Sequence, residues 1–247
     1  MHKGGDLGVA VSQAIKNRRL PLLRHSLSEY RKYVTPATAK LNQSEVDHER
    51  KSVNRLHHWL CDSARWRETI EQRVPWALAG VELGQNVLEL GPGPGLATDL
   101  LRPTLRRLTA IEVDPKLAQS LSSRLRDSNV AVVTGDATAM PLSDAQFSGV
   151  VSFTMLHHVP SSELQDRLFR EVWRVLEPGG VFVASDSVQS FLMRVIHMGD
   201  TLVPVDPDTV SARLEAAGFE VLKVEKNSRA FRFHARRPTA RIDKSRN

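Results

Sequence analysis

The chain has 247 residues, 41% of them hydrophobic and 25% charged, with a formal net charge of +6. That length allows one large α/β domain with an extension, or two small domains, and is ample for a buried core. A single cysteine, Cys61, excludes an internal disulfide and fits a reducing compartment. No apolar run approaches membrane-spanning length, and residues 1–19 lack the apolar stretch and cleavage site of a secretory leader. A cytoplasmic location is the expectation.

The positive charge is unevenly placed. Residues 1–73 carry 14 Lys/Arg against 8 Asp/Glu, residues 223–247 carry 9 against 2, and the stretch between carries 11 against 18. An acidic centre with basic ends reads first as solvated faces, and secondly as an attraction for nucleic acid or an acidic substrate.

In chain order, residues 1–20 are weakly helical. A second segment runs from Pro21 to the residues before Thr35-Pro36. From about Glu45 to Trp66 the spacing is helical, with Val53, Leu56, His57 and Leu60 on one face. A further helix is expected over about Trp66–Ala79, kinked or restarted at Pro75. Residues 1–80 thus form an N-terminal helical extension. Residues 81–237 read as the principal domain, and 238–247 as a basic tail too poor in apolar residues to order.

The domain opens with Asn86 to Leu96, NVLELGPGPGL. An apolar strand ends in Glu89 and Leu90, glycines alternate with prolines at Gly91, Gly93 and Gly95, and helical spacing begins at Leu96. Strand, tight glycine turn and helix together bring main-chain N–H groups against a ligand with no Cβ in the way. The spacing departs from G-x-G-x-x-G, since Leu96 holds the third position, and it lacks the Gly-Lys-Ser/Thr of a phosphate loop. Glu89 before the first glycine would repel a pyrophosphate and attract an ammonium or sulfonium. The second strand, Leu108–Glu112, ends in an acid placed for ribose hydroxyls, followed by Val113 and by Asp114-Pro115 as helix cap and first turn. A third strand, Val130–Val133, leads to Gly135-Asp136-Ala137.

In these motifs the chain resembles the class I S-adenosylmethionine-dependent methyltransferases. The resemblance implies a Rossmann-like, seven-stranded, mostly parallel sheet with helices on both faces. It implies S-adenosylmethionine as cofactor, with Glu89, Gly91, Gly93 and Gly95 at its methionyl part, Glu112 at the ribose, Asp136 and Ala137 at the adenine, and Val113 also in the cofactor-binding set. Leading helices in such proteins often cover the cofactor and help form the substrate pocket.

The fourth strand, Gly149–Phe153, runs into Thr154-Met155-Leu156-His157-His158, where the transferable methyl is expected; Phe153 joins the cofactor-binding set. His157 and His158 read as a base or polar wall of the acceptor site, or as hydrogen-bonded histidines ending a strand. Ser161 caps a helix whose apolar residues run from Leu164 to Leu176, stopped by Glu177-Pro178-Gly179-Gly180; RVLEPGGVFV also resembles the family. Val181–Ala184 is a fifth strand. Thr209–Ala217 is a helix closed by Gly218, and Phe219–Val224 and Arg229–Ala235 are a closing pair of strands.

Displacement at a sulfonium needs alignment more than acid–base help, so the acceptor is not legible. A small-molecule acceptor is the favoured partner. The early motifs also resemble rRNA adenine dimethylases, but Thr154-Met155-Leu156-His157 stands where those enzymes carry an Asn-Leu-Pro-Tyr-type tetrapeptide, so nucleic acid is the alternative. A non-catalytic cofactor-binding protein is the third reading. The histidines and Cys61 have no metal-ligand company in sequence, so no metal is expected.

Overall fold

The structure, a computed structural model, describes residues 63–188 and 201–239. The expected helices before residue 63, Cys61, the His57-His58 pair, His197 and the tail from 240 lie outside the described residues. The described elements are α1 (Ala64–Leu78), β1 (Asn86–Leu90), α2 (Leu96–Leu101), β2 (Arg107–Glu112), α3 (Pro115–Arg124), β3 (Val130–Thr134), β4 (Phe147–Phe153), α4 (Ser162–Val175), β5 (Leu176–Ser187), α5 (Val210–Ala216), β6 (Glu220–Lys226) and β7 (Ala230–Arg236).

The seven strands form one sheet in the order β3-β2-β1-β4-β5-β7-β6. β1 to β5 are parallel, and β7 is inserted antiparallel between β5 and β6. The order reverses between β1 and β4, and in such sheets ligands bind at the carboxyl ends of the strands flanking that reversal. This is the Rossmann-like, mostly parallel sheet that the resemblance implied.

Alternation along the strands divides the core in two. One cluster, with Leu88, Leu90, Val150, Phe182 and Ala184, packs under α4 and α5. The other, with Val87, Ala110, Val151, Phe153 and Val183, packs under α1, α2 and α3. The first is built around aromatic edges: Phe182 and Phe233 meet at 5.0 Å, nearly perpendicular.

Local sequence explains several helix ends. The Asp114 carboxylate accepts from the amides of Lys116 and Leu117, with Pro115 in the first turn. Ser161 Oγ accepts from Leu164 N. Gly218, at φ +98°, closes α5 while Phe219 N donates to Leu214 O.

Two boundaries differ from expectation. α1 runs through Pro75 without a restart. Val74, Ala77 and Leu78 around it are fully buried, and two side chains of β7 hold the helix end: Arg232 donates to Trp76 O, and His234 Nε2 lies 2.8 Å from Ala77 O. Packing and these bonds outweigh the lost backbone bond. Glu177-Pro178-Gly179-Gly180 does end α4, but it lies inside β5 as a bulged excursion between the pairs Phe147–Leu176 and Gly149–Val181. Gly179, at φ +87°, makes the excursion possible, and Gly179 N donates to Arg237 O.

Candidate functional site

The ladder of the sheet continues past the strand ends and stitches three tips together. Gly91 N donates to Ile111 O, and Gly135 N donates to Glu112 O, both at 2.9 Å. The turn after β1, the acid ending β2 and the turn after β3 therefore share one edge, in the chain order that the motifs implied.

Each glycine of the first turn has its own reason. Gly91 lies at φ +60°, and a Cβ there would come within 2.3 Å of Met155 Cγ. Gly95, at φ +89°, precedes α2, and its Cβ would meet Arg124 Nη2 at 2.4 Å. Gly93, at φ +54°, has open space where its Cβ would be. That space is a cradle of the kind a close-approaching ligand needs. Arg124 braces the turn from outside, reaching Pro94 O and both carboxylate oxygens of Asp99.

Glu112 is buried at the centre of the edge. One carboxylate oxygen accepts from Gly93 N and the other from Asp114 N, each at 3.0 Å. The acid thus couples the glycine turn to the loop after β2. Each oxygen retains acceptor capacity towards a hydroxyl. Val113 beside it is 49% exposed, an apolar surface at the mouth of the edge.

Glu89 lies one layer below, 2% exposed, and accepts from Thr98 Oγ1 at 2.7 Å. Burial pushes its pKa up to about 7; the Thr98 hydrogen bond opposes the rise, and the charges of Asp99 and Glu112 add to it. An acid destabilised by its own burial and by acidic neighbours is a site that a cation relieves.

Asp136 and Ala137 are half-buried, and Asp136 Oδ1 accepts from Thr138 N at 2.9 Å. The loop that follows is fastened to α4: Glu171 accepts from Met140 N, and Arg174 donates to the carbonyls of Met140 and Leu142. Phe153 is buried among the apolar residues below the edge, so it is floor rather than exposed wall.

At the tip of β4, Thr154 is held at φ +54°, a left-handed conformation unusual for a β-branched residue. Its N–H donates to Ser185 O at 2.8 Å, which compensates the strain. His157 follows, buried, with Nδ1 2.6 Å from Asp186 Oδ1; its own N–H donates to Asp186 Oδ2 at 3.1 Å. His158 is half-buried, and its ring centroid lies 4.2 Å from that of His157. Burial alone would raise the Asp186 carboxyl, but the His157 charge and hydrogen bond, with the amides of Ser187 and His157, hold it below the usual range. Of the two histidines, then, His157 is locked and His158 is the more open.

Sequence reading missed three participants. Thr98 leaves no signal beyond its place in the first turns of α2. Asp186 ends the apolar run Val181–Ser185, the same signal that singled out Glu89 and Glu112, so that rule would have found it. Arg73 lies on α1, outside any motif, and reaches Ser187 Oγ at 3.2 Å. Among the described residues no group of three or more His, Cys, Asp or Glu is arranged to hold a metal ion, and no helix is long and apolar enough to cross a membrane.

The chain is similar to known proteins. Residues 88–184 match the family described as "Methyltransferase domain". A probable S-adenosylmethionine-dependent methyltransferase of Mycolicibacterium smegmatis is 30% identical over 165 residues, 64% of this chain and 59% of the relative. A ribosomal RNA small subunit methyltransferase A, assigned as probable, of Methanothermobacter thermautotrophicus is 31% identical over 167 residues, 63% of this chain and 60% of the relative. The chain therefore spans about three fifths of the length of these curated relatives. Among solved structures, a methyltransferase in complex with the Haloferax volcanii Trm112 methyltransferase activator superposes with a TM-score of 0.61 at 18% identity, covering 76% of this chain and 100% of that one.

Proposed function

We propose that this chain is a class I S-adenosylmethionine-dependent methyltransferase and that it transfers the methyl group of S-adenosylmethionine to a small-molecule acceptor. When bound, the cofactor supplies a methyl group already activated on a sulfonium. The carrying observation is the shared edge itself. The glycine turn and the buried Glu112 are one hydrogen-bonded unit, with the open space at Gly93 above it and the buried Glu89 beneath.

In this reading Glu112 accepts from the ribose hydroxyls, and Asp136 and Ala137 border the adenine beside Val113. Glu89 answers the positive charge of the methionyl end, directly or through water. Glu89 is close enough to Glu112 to feel its charge. The acceptor then lies at the tips of β4 and β5. His158, the more open ring, faces it or its proton, and His157, oriented by Asp186, holds His158 in place. A small acceptor is favoured because Leu156, His157 and Val159 after β4 are buried, leaving little surface on which to splay a base.

The kinship with rRNA methyltransferases sustains RNA as a second acceptor class. The test is a lysate fractionated into RNA and small molecules, offered separately with labelled cofactor. Label entering the small-molecule fraction, with formation of S-adenosylhomocysteine, supports the proposal. Label entering RNA alone, with retention that falls steeply as salt rises, replaces it with the second reading. Absence of cofactor binding in calorimetry refutes both.

A further inference from the structure

We infer that Arg73 and Ser187 form an anion subsite at the tip of β5, and that the acceptor carries a carboxylate or phosphate which this subsite holds. The inference rests on the donor placement proposed above.

The register of α1 on the sheet fixes where Arg73 lies. Ala77 O is met by His234, which pairs with Val183; Trp76 O is met by Arg232, which pairs with Ser185; and Arg73 reaches Ser187. Each step towards the start of α1 is thus a step up β5, so the helix runs antiparallel to β5 and passes its carboxyl end near Arg73. The nine residues from Ala64 to Gln72 continue about 13 Å further, over the edge of the sheet. Ile70 in that stretch is buried against the core, so the overhang is packed in place. The arrangement makes α1 a wall above the tip of β5.

From Glu112 on β2 to Ser187 on β5 there are three strand spacings, by way of β1 and β4, or about 14 Å. With the ribose at β2 and the methionyl end at β1 and β4, the tip of β5 is left to the other reactant.

The chemistry follows from what Arg73 lacks. Its guanidinium is half-buried, and its hydrogen-bond partner among the described residues is one neutral hydroxyl, Ser187 Oγ at 3.2 Å. Asp186 is near enough to favour the charged guanidinium, yet burial outweighs it and lowers the Arg73 pKa. Asp186 itself is already satisfied, accepting from His157 Nδ1, His157 N and Ser187 N. Its side chain also leaves the opposite face of β5 from Ser187, by the alternation of the strand. An arginine with five donors in a planar fork, partly stripped of water and answered by one hydroxyl, is matched to a bidentate anion. Ser185, one step down the same face, is buried with its Oγ unpartnered among the described residues, so the hydroxyl side of this face is not saturated either.

The experiment uses the full chain saturated with S-adenosylhomocysteine, with benzoate and its neutral isostere benzamide as probes, followed by calorimetry and by the arginine Nε–H resonances. The expected result is that benzoate binds about tenfold tighter than benzamide and shifts the Arg73 resonance. R73M should erase the difference while S-adenosylhomocysteine affinity stays within about twofold, and S187A should narrow it without touching α1 packing. Equal binding of the two probes by the unmodified chain overturns the inference, as does discrimination that survives R73M. If R73M instead weakens S-adenosylhomocysteine in step with benzoate, Arg73 serves the carboxylate of the donor, and the acceptor subsite is refuted. If the unmodified chain fails to bind S-adenosylhomocysteine at all, the donor placement fails, and this inference fails with it.

Discussion

Replacing Glu89 by Gln tests the electrostatics of the site without any ligand. The carboxyl is 2% exposed, and its pKa rises from 4.5 to about 7 in the folded chain. A raised carboxyl pKa means that the folded state holds the proton more tightly than the unfolded one. Stability is therefore fully present below about pH 4.5 and falls as pH rises towards and through 7. Linkage puts the loss at about 2 kcal/mol by pH 6 and about 3 kcal/mol by pH 8, a difference of about 1.3 kcal/mol across that interval. Gln keeps the shape, accepts from Thr98 and does not ionise, so E89Q should lack this component. Urea denaturation of both chains at pH 6 and pH 8 reads it directly: the advantage of E89Q over the unmodified protein should grow by about 1.3 kcal/mol between the two. An advantage that stays constant would show that Glu89 does not titrate in this range and offers a cation no special relief. Binding extends the test. At pH 7 the group is about half protonated, so a cationic cofactor should expel about half a proton from the unmodified chain and none from E89Q, measured by calorimetry in buffers of different ionisation enthalpy.

E112A should weaken S-adenosylmethionine by about 1–3 kcal/mol, since two backbone amides and the ribose lose a charged acceptor; unchanged affinity in calorimetry would contradict the ribose assignment. G93A should cost only about 1–2 kcal/mol in folding, because the φ is left-handed but the space is open, yet lower cofactor affinity at least about tenfold; equal small losses in both would mean that the ligand does not enter that space. Protonation of Asp186 should unlock the turn after β4: a lowered carboxyl pKa contributes stability above its unfolded value that is lost as pH falls through the folded one, so acid titration by near-ultraviolet dichroism should show a component below about pH 4 that D186N lacks. H158Q should slow transfer about 10²-fold or more if the acceptor yields a proton to it, while H157Q should chiefly reduce stability; the reverse pattern would exchange their roles.

The parts of this protein legible from sequence are those set by local geometry. The turn from Gly91 to Gly95 needs left-handed backbone that glycine supplies, and Asp114, Ser161 and Gly218 announce their caps because each satisfies its own helix end. The strand alternation carried the order of the three acids, since parallel strands joined by crossover helices place successive tips on one edge. What the tertiary structure alone decided depends on side chains far apart in the chain. Pro75 sits inside an unbroken helix because Arg232 and His234, more than 150 residues on, cap its carbonyls. His157 is buried because Asp186 reaches it across 29 positions, and Arg73 acquires a place at the site from the way α1 lies along β5. Periodicity and capping encode what a residue does to its neighbours in sequence; which buried charge meets which donor is settled only when layers pack, because desolvation and long-range pairing do not exist until the chain has closed.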